Sequence, residues 1–299
     1  MGSVVAIDIG GTTIKSAAAP RPASLAETVL SDVRRTPTPV GDPSALIDAV
    51  IDLVRSYGDD VDSVGVVMPG LLDVPNGRVR IAGNLRLQDA PIVEPLAAAL
   101  RIPIAFDHDV RAGALAELHV GAARGLGNAA FLAIGTGIAA AFVIDGEVRS
   151  SDGFMGEVGH QWVGIDAPCI CGLSGCLEAV SSAAGIARRY QERTGESIDA
   201  PTVIARAQTG DNAATHIWHD ALQGLVRAST MITNLLAPEG IIVGGGLALA
   251  GDALFDPLRE GLAKSISFQR LPEIREATSG DDAGCLGAAI AALRQGGLT

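Results

Sequence analysis

Three of the four cysteines, Cys169, Cys171 and Cys176, fall within eight residues, and His160 stands nine positions upstream. Three thiols and one imidazole are the donor set of a closed tetrahedral zinc site, with no coordination position left open for chemistry. Gly172 and Gly175 let so short a loop turn its sulfurs toward one point. Leu177 and Glu178 open the helix that follows, so a structural zinc ion there would pin a carboxylate in place. A second group is the run Asp8, Ile9, Gly10, Gly11, Thr12, Thr13, Ile14, Lys15. It is a tight turn with bare amides, which can close around phosphate oxygens, and Asp8 is placed to hold a magnesium ion directly or through water. The pattern is not a Walker A loop. Lys15 stands out because Lys264 is the only other lysine, and with Thr13 it is expected on the nucleotide. Gly135, Thr136 and Gly137 offer a second set of amides, and Gly244, Gly245 and Gly246 a third glycine cluster between a strand and a helix. The third is not a Rossmann fingerprint, because Leu249 stands where the last glycine belongs, and simple strand–helix packing is its alternative. Asp109, after Asp107 and His108, can act as a general base toward a substrate hydroxyl, although alone it would read as a helix N-cap. Glu157, His160, Glu178 and Asn84 are of the types that grip the vicinal hydroxyls of a sugar.

These residues need strands and helices to hold them. Apolar runs predict a strand over 4–9 and a return strand over 14–19 across the first glycine turn. A helix over 43–57, a strand over 61–67, a long loop over 68–90, a helix over about 92–100, a strand over 102–106 and a helix over 109–120 follow. The second half opens with the same phrase: strand 129–134, glycine–threonine turn, strand 138–144. Strand, turn and strand recur roughly 125 residues apart, which predicts two similar α/β domains. Helices are expected over 177–193, 202–208, 212–236, 252–266 and 284–295, with a strand over 240–243, giving α/β layers.

With 299 residues the chain is long enough for two such domains. Apolar residues make up 48% and aromatics only 3%, so the cores must be built from Ala, Val, Ile and Leu. The formal net charge is −12, with no basic tract, which argues against nucleic acid or an anionic membrane as partner. No stretch has the length of a membrane span and the chain opens straight into a strand, so a cytoplasmic protein is expected.

Taken together, the motifs resemble the ROK family of sugar kinases and repressors, within the superfamily of actin and hexokinase. The resemblance rests on Asp8, Gly10, Gly11 and Thr12, on Gly156, Glu157, Gly159 and His160, on Cys169, Cys171, Gly172, Gly175, Cys176 and Glu178, and on Gly244, Gly245 and Gly246. It implies two ribonuclease-H-like α/β domains with an interdomain cleft that closes on sugar and ATP. Residues 1–108 would form the smaller domain, completed by a C-terminal helix over about 284–299, and 109–283 the larger one with the zinc loop. Asp109 matches the family's catalytic base. Gly70, Asn84, Glu157, His160 and Glu178 match sugar-contacting positions, and His108 stands where family kinases usually carry a sugar-facing Asn. Asp8, Gly10, Gly11, Thr12, Gly135, Thr136 and Gly137 match phosphate-binding positions, and Gly244, Gly245 and Gly246 the adenosine side.

The expected reaction is ATP-dependent phosphorylation of the 6-hydroxyl of a hexose, glucose first, with ATP, magnesium and structural zinc as cofactors. N-acylhexosamine, fructose and mannose kinases are the alternatives. His108, and the absence of an aromatic after Asn84 and Leu85, touch sugar contacts and leave the phosphate machinery alone. A sugar-sensing regulator of the same family would need a DNA-binding domain, and seven residues ahead of Asp8 in an acidic chain offer it no place. A homodimer or higher homo-oligomer is what the family suggests.

Overall fold

The computed structural model describes residues 2–298. In chain order the strands are β1 (Ser3–Ile9), β2 (Thr13–Pro20), β3 (Ser31–Pro37), β4 (Val61–Met68), β5 (Leu71–Asp73), β6 (Arg78–Ala82), β7 (Leu87–Pro91), β8 (Ile104–His108), β9 (Ala129–Ile134), β10 (Ile138–Ile144), β11 (Glu147–Arg149), β12 (Gly240–Gly244) and β13 (Glu273–Glu276). The helices are α1 (Pro43–Arg55), α2 (Val93–Leu100), α3 (Asp109–His119), α4 (Leu177–Ser181), α5 (Ala183–Thr194), α6 (Ala200–Gln208), α7 (Asn212–Leu236), α8 (Asp252–Ser265) and α9 (Ala283–Gln295). They form two compact units. One runs to Arg124 and adds 148–155 and the segment from Ser279; the other is 125–147 with 156–278. The first unit therefore includes α3, which packs on α9, whereas the sequence reading opens the second domain at 109.

The first unit is built on a sheet of order β3-β2-β1-β4-β8. β1, β4 and β8 run parallel, β2 returns antiparallel to β1, and β3 runs antiparallel to β2. Side chains alternate across β1, as a period of two requires. Val5, Ile7 and Ile9 enter a core with α1 and α2, while Val4 and Ala6 enter a second core with α3 and α9. That second core is made of small residues because backbones meet in it. A Cβ on Gly65 of β4 would stand 1.9 Å from the Ala288 carbonyl oxygen, and one on Gly287 would stand 1.9 Å from that of Ala112. Cys285 is fully buried there, as a small apolar residue.

The second unit repeats this arrangement. Its sheet has the order β11-β10-β9-β12-β13, with β9 and β10 antiparallel and β12 and β13 parallel to β9. The order matches β3-β2-β1-β4-β8 strand for strand, so the repeated phrase in the sequence marks a repeated fold.

Several local expectations need correction. The stretch 68–90 is a three-stranded antiparallel sheet, β5-β6-β7, whose strands of three to five residues are too short to show a period. The helix expected over 177–193 breaks at Ser182, whose hydroxyl accepts from the Gly185 N–H at 3.0 Å and caps α5. β3 and β13 went unpredicted because they are polar edge strands with little buried side chain. Among the described residues no helix is long and apolar enough to cross a membrane.

Candidate active site

In the first unit the parallel strands β1 and β8 end on the same side of the sheet, the side where α/β sheets bind ligands. Asp8 lies near the end of β1 and Asp109 directly follows β8, at the first turn of α3. Asp8 is pushed up to about 7, first by desolvation and next by the negative charge of Asp109, with Lys15 opposing the rise. A buried carboxylate facing a second negative charge is what a divalent cation would relieve. The carboxylate of Asp8 also lies against α9, where a Cβ on Gly284 would stand 2.2 Å from Oδ2. Gly284 was missed in the sequence, where it is one glycine of a small-residue helix.

The turn between β1 and β2 is held from outside. Gly10 N–H donates to the Thr13 carbonyl at 3.0 Å, the Thr38 hydroxyl to the Gly10 carbonyl at 2.8 Å, and Thr38 N–H to the Thr12 carbonyl at 3.1 Å. Asn84 reaches this turn: a Cβ on Gly11 would stand 3.2 Å from the Asn84 Cβ. Gly70, at φ +118°, lets the chain turn against β6, where a Cβ would meet the Ile81 carbonyl at 2.5 Å.

Two expected contacts are engaged elsewhere. The Lys15 ammonium, expected on the nucleotide, is buried and directed at the start of α9. It donates to Asp281 Oδ2 at 2.5 Å, to Asp282 Oδ1 at 3.3 Å and to the Asp281 carbonyl. Three N–H groups meet three acceptors, so Lys15 anchors α9 beside Asp8. Its partners lie 266 and 267 positions away, beyond the reach of a local motif. His108 caps α3: its Nδ1 accepts from the Val110 N–H at 3.2 Å and lies 3.0 Å from Asp109 Oδ1. Nδ1 is taken up between the Val110 N–H and the Asp109 carboxylate, so Nε2 is the one ring nitrogen left for a sugar, as donor or acceptor according to the tautomer. Asp109 Oδ1 itself accepts from Val110 N–H at 2.7 Å, and Asp107 Oδ1 from His108 N–H at 2.7 Å and Arg111 Nε at 2.6 Å.

The remaining candidates lie in the second unit. Gly135, Thr136 and Gly137 join β9 to β10, with the Gly135 N–H donating to the Gly137 carbonyl at 2.9 Å. Gly245, at φ +84°, packs on this turn; a Cβ would meet the Ile134 carbonyl oxygen at 2.5 Å. The second and third glycine clusters are thus neighbours. Gly156 and Gly159 let the segment carrying Glu157 and His160 lie flat on β10, where their Cβ atoms would come within 2.0 Å of the Ala140 and 2.2 Å of the Ile138 carbonyl oxygens.

His160, Cys169, Cys171 and Cys176 come together, with one ligand atom from each lying within 4.8 Å of all the others. Cys171 and Cys176 sulfurs are 3.6 Å apart, and His160 Nδ1 is 3.9 Å from the Cys169 sulfur. Tetrahedral zinc with Zn–S bonds of about 2.3 Å spaces its sulfurs about 3.8 Å apart, so the donor set fits zinc in type and span. Without a cation the thiols titrate apart. Cys171 is pushed down to about 7, chiefly by the Leu173 backbone, and Cys176 up to about 12, chiefly by desolvation. His160 Nε2 stands 3.9 Å from Glu157 Oε2, leaving the imidazole one nitrogen for the thiol cluster and one beside a carboxylate.

Two copies of one mixed α/β topology, each with a glycine turn in its hairpin, define the class of actin-like, ribonuclease-H-like folds. The ROK family model matches residues 4–295, and the chain belongs to that family. It is 31% identical to a glucokinase of Halalkalibacterium halodurans, over 95% of this chain and 92% of the relative. An N-acetyl-D-glucosamine kinase of Salmonella heidelberg is 29% identical over 86% of this chain and 90% of its own length. Among solved structures, a ROK hexokinase from Thermus thermophilus superposes with a TM-score of 0.87 at 30% identity, covering 99% of both chains.

Proposed function

We propose that this protein is an ATP-dependent hexokinase that transfers the γ-phosphoryl group of ATP to the 6-hydroxyl of a hexose, with glucose as its preferred acceptor. The observation that carries the reading is the pairing of Asp8 and Asp109 at the ends of two parallel strands, beside a turn of bare amides. Asp109 accepts the proton of the sugar 6-hydroxyl. The sugar oxygen then attacks the γ-phosphorus, the bond from that phosphorus to the bridging oxygen breaks, and ADP leaves. Asp8 would hold the magnesium ion that neutralises phosphate charge. Backbone amides of the Gly10, Gly11, Thr12 and Thr13 turn and of the Gly135, Thr136 and Gly137 turn receive phosphate oxygens, while Gly244, Gly245 and Gly246 border the adenosine.

Gly70 through its backbone, with Asn84, His108, Glu157, His160 and Glu178 through their side chains, would hold the sugar. His160, Cys169, Cys171 and Cys176 would hold a structural zinc ion, which stiffens the loop carrying sugar contacts and supplies no chemistry of its own. The reading extends to a cytoplasmic homodimer or higher homo-oligomer that delivers phosphorylated hexose to glycolysis.

An N-acylhexosamine kinase is the second reading, favoured by the Salmonella heidelberg relative and by His108, which leaves a single ring nitrogen for the sugar. A coupled assay of ADP release over glucose, mannose, galactose, fructose and the N-acetylhexosamines tests both. The proposal expects the highest kcat/KM with glucose; a maximum with an N-acetylhexosamine favours the second reading, and no sugar-stimulated ADP release rules out both.

A further inference from the structure

Glu178 is expected on the sugar, yet one of its oxygens is already engaged. Oε2 accepts from the Ile138 N–H at 2.9 Å. Ile138 is the first residue of β10, directly after the Gly135, Thr136 and Gly137 turn. Gly137 is pressed against the same oxygen, for a Cβ there would stand 2.5 Å from Oε2. The other end of the turn is held from the same stretch of chain, since the Ala183 N–H donates to the Gly135 carbonyl at 2.9 Å. α4 and the start of α5 therefore grip the turn at both ends.

That grip leaves the turn with a defined set of donors. The Gly135 N–H is committed to the Gly137 carbonyl and the Ile138 N–H to Glu178. The two amides between them, of Thr136 and Gly137, are left to receive phosphate oxygens, as a small nest of successive N–H groups does. α4 is itself anchored in the thiol loop. Cys176 is its N-cap residue and bridges to Trp162, and the Leu177 N–H donates to the Gln161 carbonyl at 2.9 Å.

We propose that Glu178 is a positioning residue for the nucleotide: its carboxylate fixes the second glycine turn in phosphate-receiving shape and ties that turn to the cysteine loop. The proposal rests on the hexokinase reading above. A side-chain oxygen held at hydrogen-bond reach of a backbone amide is a tether, and fixing the turn before the nucleotide arrives removes an ordering cost from binding.

Two conservative variants separate tether from charge. Glu178→Gln loses the charge but keeps an oxygen at the right reach for the Ile138 N–H. Glu178→Asp keeps the charge but is one methylene too short. MgADP binding is measured by calorimetry without sugar, and exchange of the Ile138 amide by NMR or mass spectrometry on the same proteins. The expected result is that Glu178→Asp weakens MgADP by about tenfold or more while Glu178→Gln stays within about threefold of the parent. Ile138 exchange should accelerate only in Glu178→Asp. Parent-like MgADP affinity in Glu178→Asp, or an equal loss in Glu178→Gln, overturns the proposal and leaves the hexokinase reading standing. A parent protein that binds no MgADP at all overturns both.

Discussion

At the residue scale the account turns on two carboxylates with different tasks. Asp109→Asn keeps the shape of the site and removes the base, so kcat should fall by on the order of 10²–10⁴ while glucose affinity stays near the parent's. Titration of glucose against the variant checks this, and loss of binding with little change in kcat would make Asp109 a sugar ligand instead. Asp8 gives a pH signature. The fold favours its neutral form, so its contribution to stability is full below the ordinary value of 3.8 and is lost as pH rises through about 7. Asp8→Asn is neutral throughout. In metal-free buffer above that window it should be more stable than the parent by on the order of 1–3 kcal/mol, and inactive. Denaturant melts across the window that run parallel for the two proteins would contradict this. His108→Asn replaces the single free ring nitrogen with an amide that offers both a donor and an acceptor, so the rank of kcat/KM among glucose, mannose and the N-acetylhexosamines should change. An unchanged rank would leave His108 with its cap alone.

At the scale of elements, local patterns were legible and long-range ones were not. The four zinc-type ligands span 160–176, so their types and spacing alone announce one site. The hairpins of β1–β2 and β9–β10 were equally plain, because each is a buried apolar run turned by glycines. The β5–β7 sheet was not, since its strands are short and cross a segment dense in Gly, Asp and Asn. Nor could spacing show that Lys15 turns to Asp281 and Asp282, or that Glu178 reaches Ile138, for those contacts are made by the fold. The close approach of α9 to β4 and α3 was hidden too, because small residues carry no periodic signal. Gly65→Ala tests it: the added methyl meets backbone, which cannot rotate away, and stability should fall by about 1–3 kcal/mol or more. A melting temperature equal to the parent's would show that α9 has slack. Cys171→Ser should shed the one zinc ion expected per chain and lower the melting temperature by on the order of several degrees, because metal binding and loop folding are coupled. Zinc analysis and thermal melts of parent and variant decide this.

At the scale of the whole molecule, the chain is one α/β topology written twice, each copy with a glycine turn in its hairpin. Duplication was readable because the phrase strand, turn, strand survives in both halves; the order of the flanking strands was not, since edge strands carry few apolar residues. The first copy carries Asp8 and Asp109, and the second carries the other glycine turns and the cysteine loop. A hexokinase moves one phosphoryl group from ATP to the sugar, so its products record the reaction. The most direct measurement is phosphorus NMR of the parent protein incubated with ATP, magnesium and glucose. The account predicts glucose 6-phosphate and ADP formed one for one, with no ATP consumed when glucose is omitted. ATP consumption independent of sugar, or phosphate on any other hydroxyl, would contradict it.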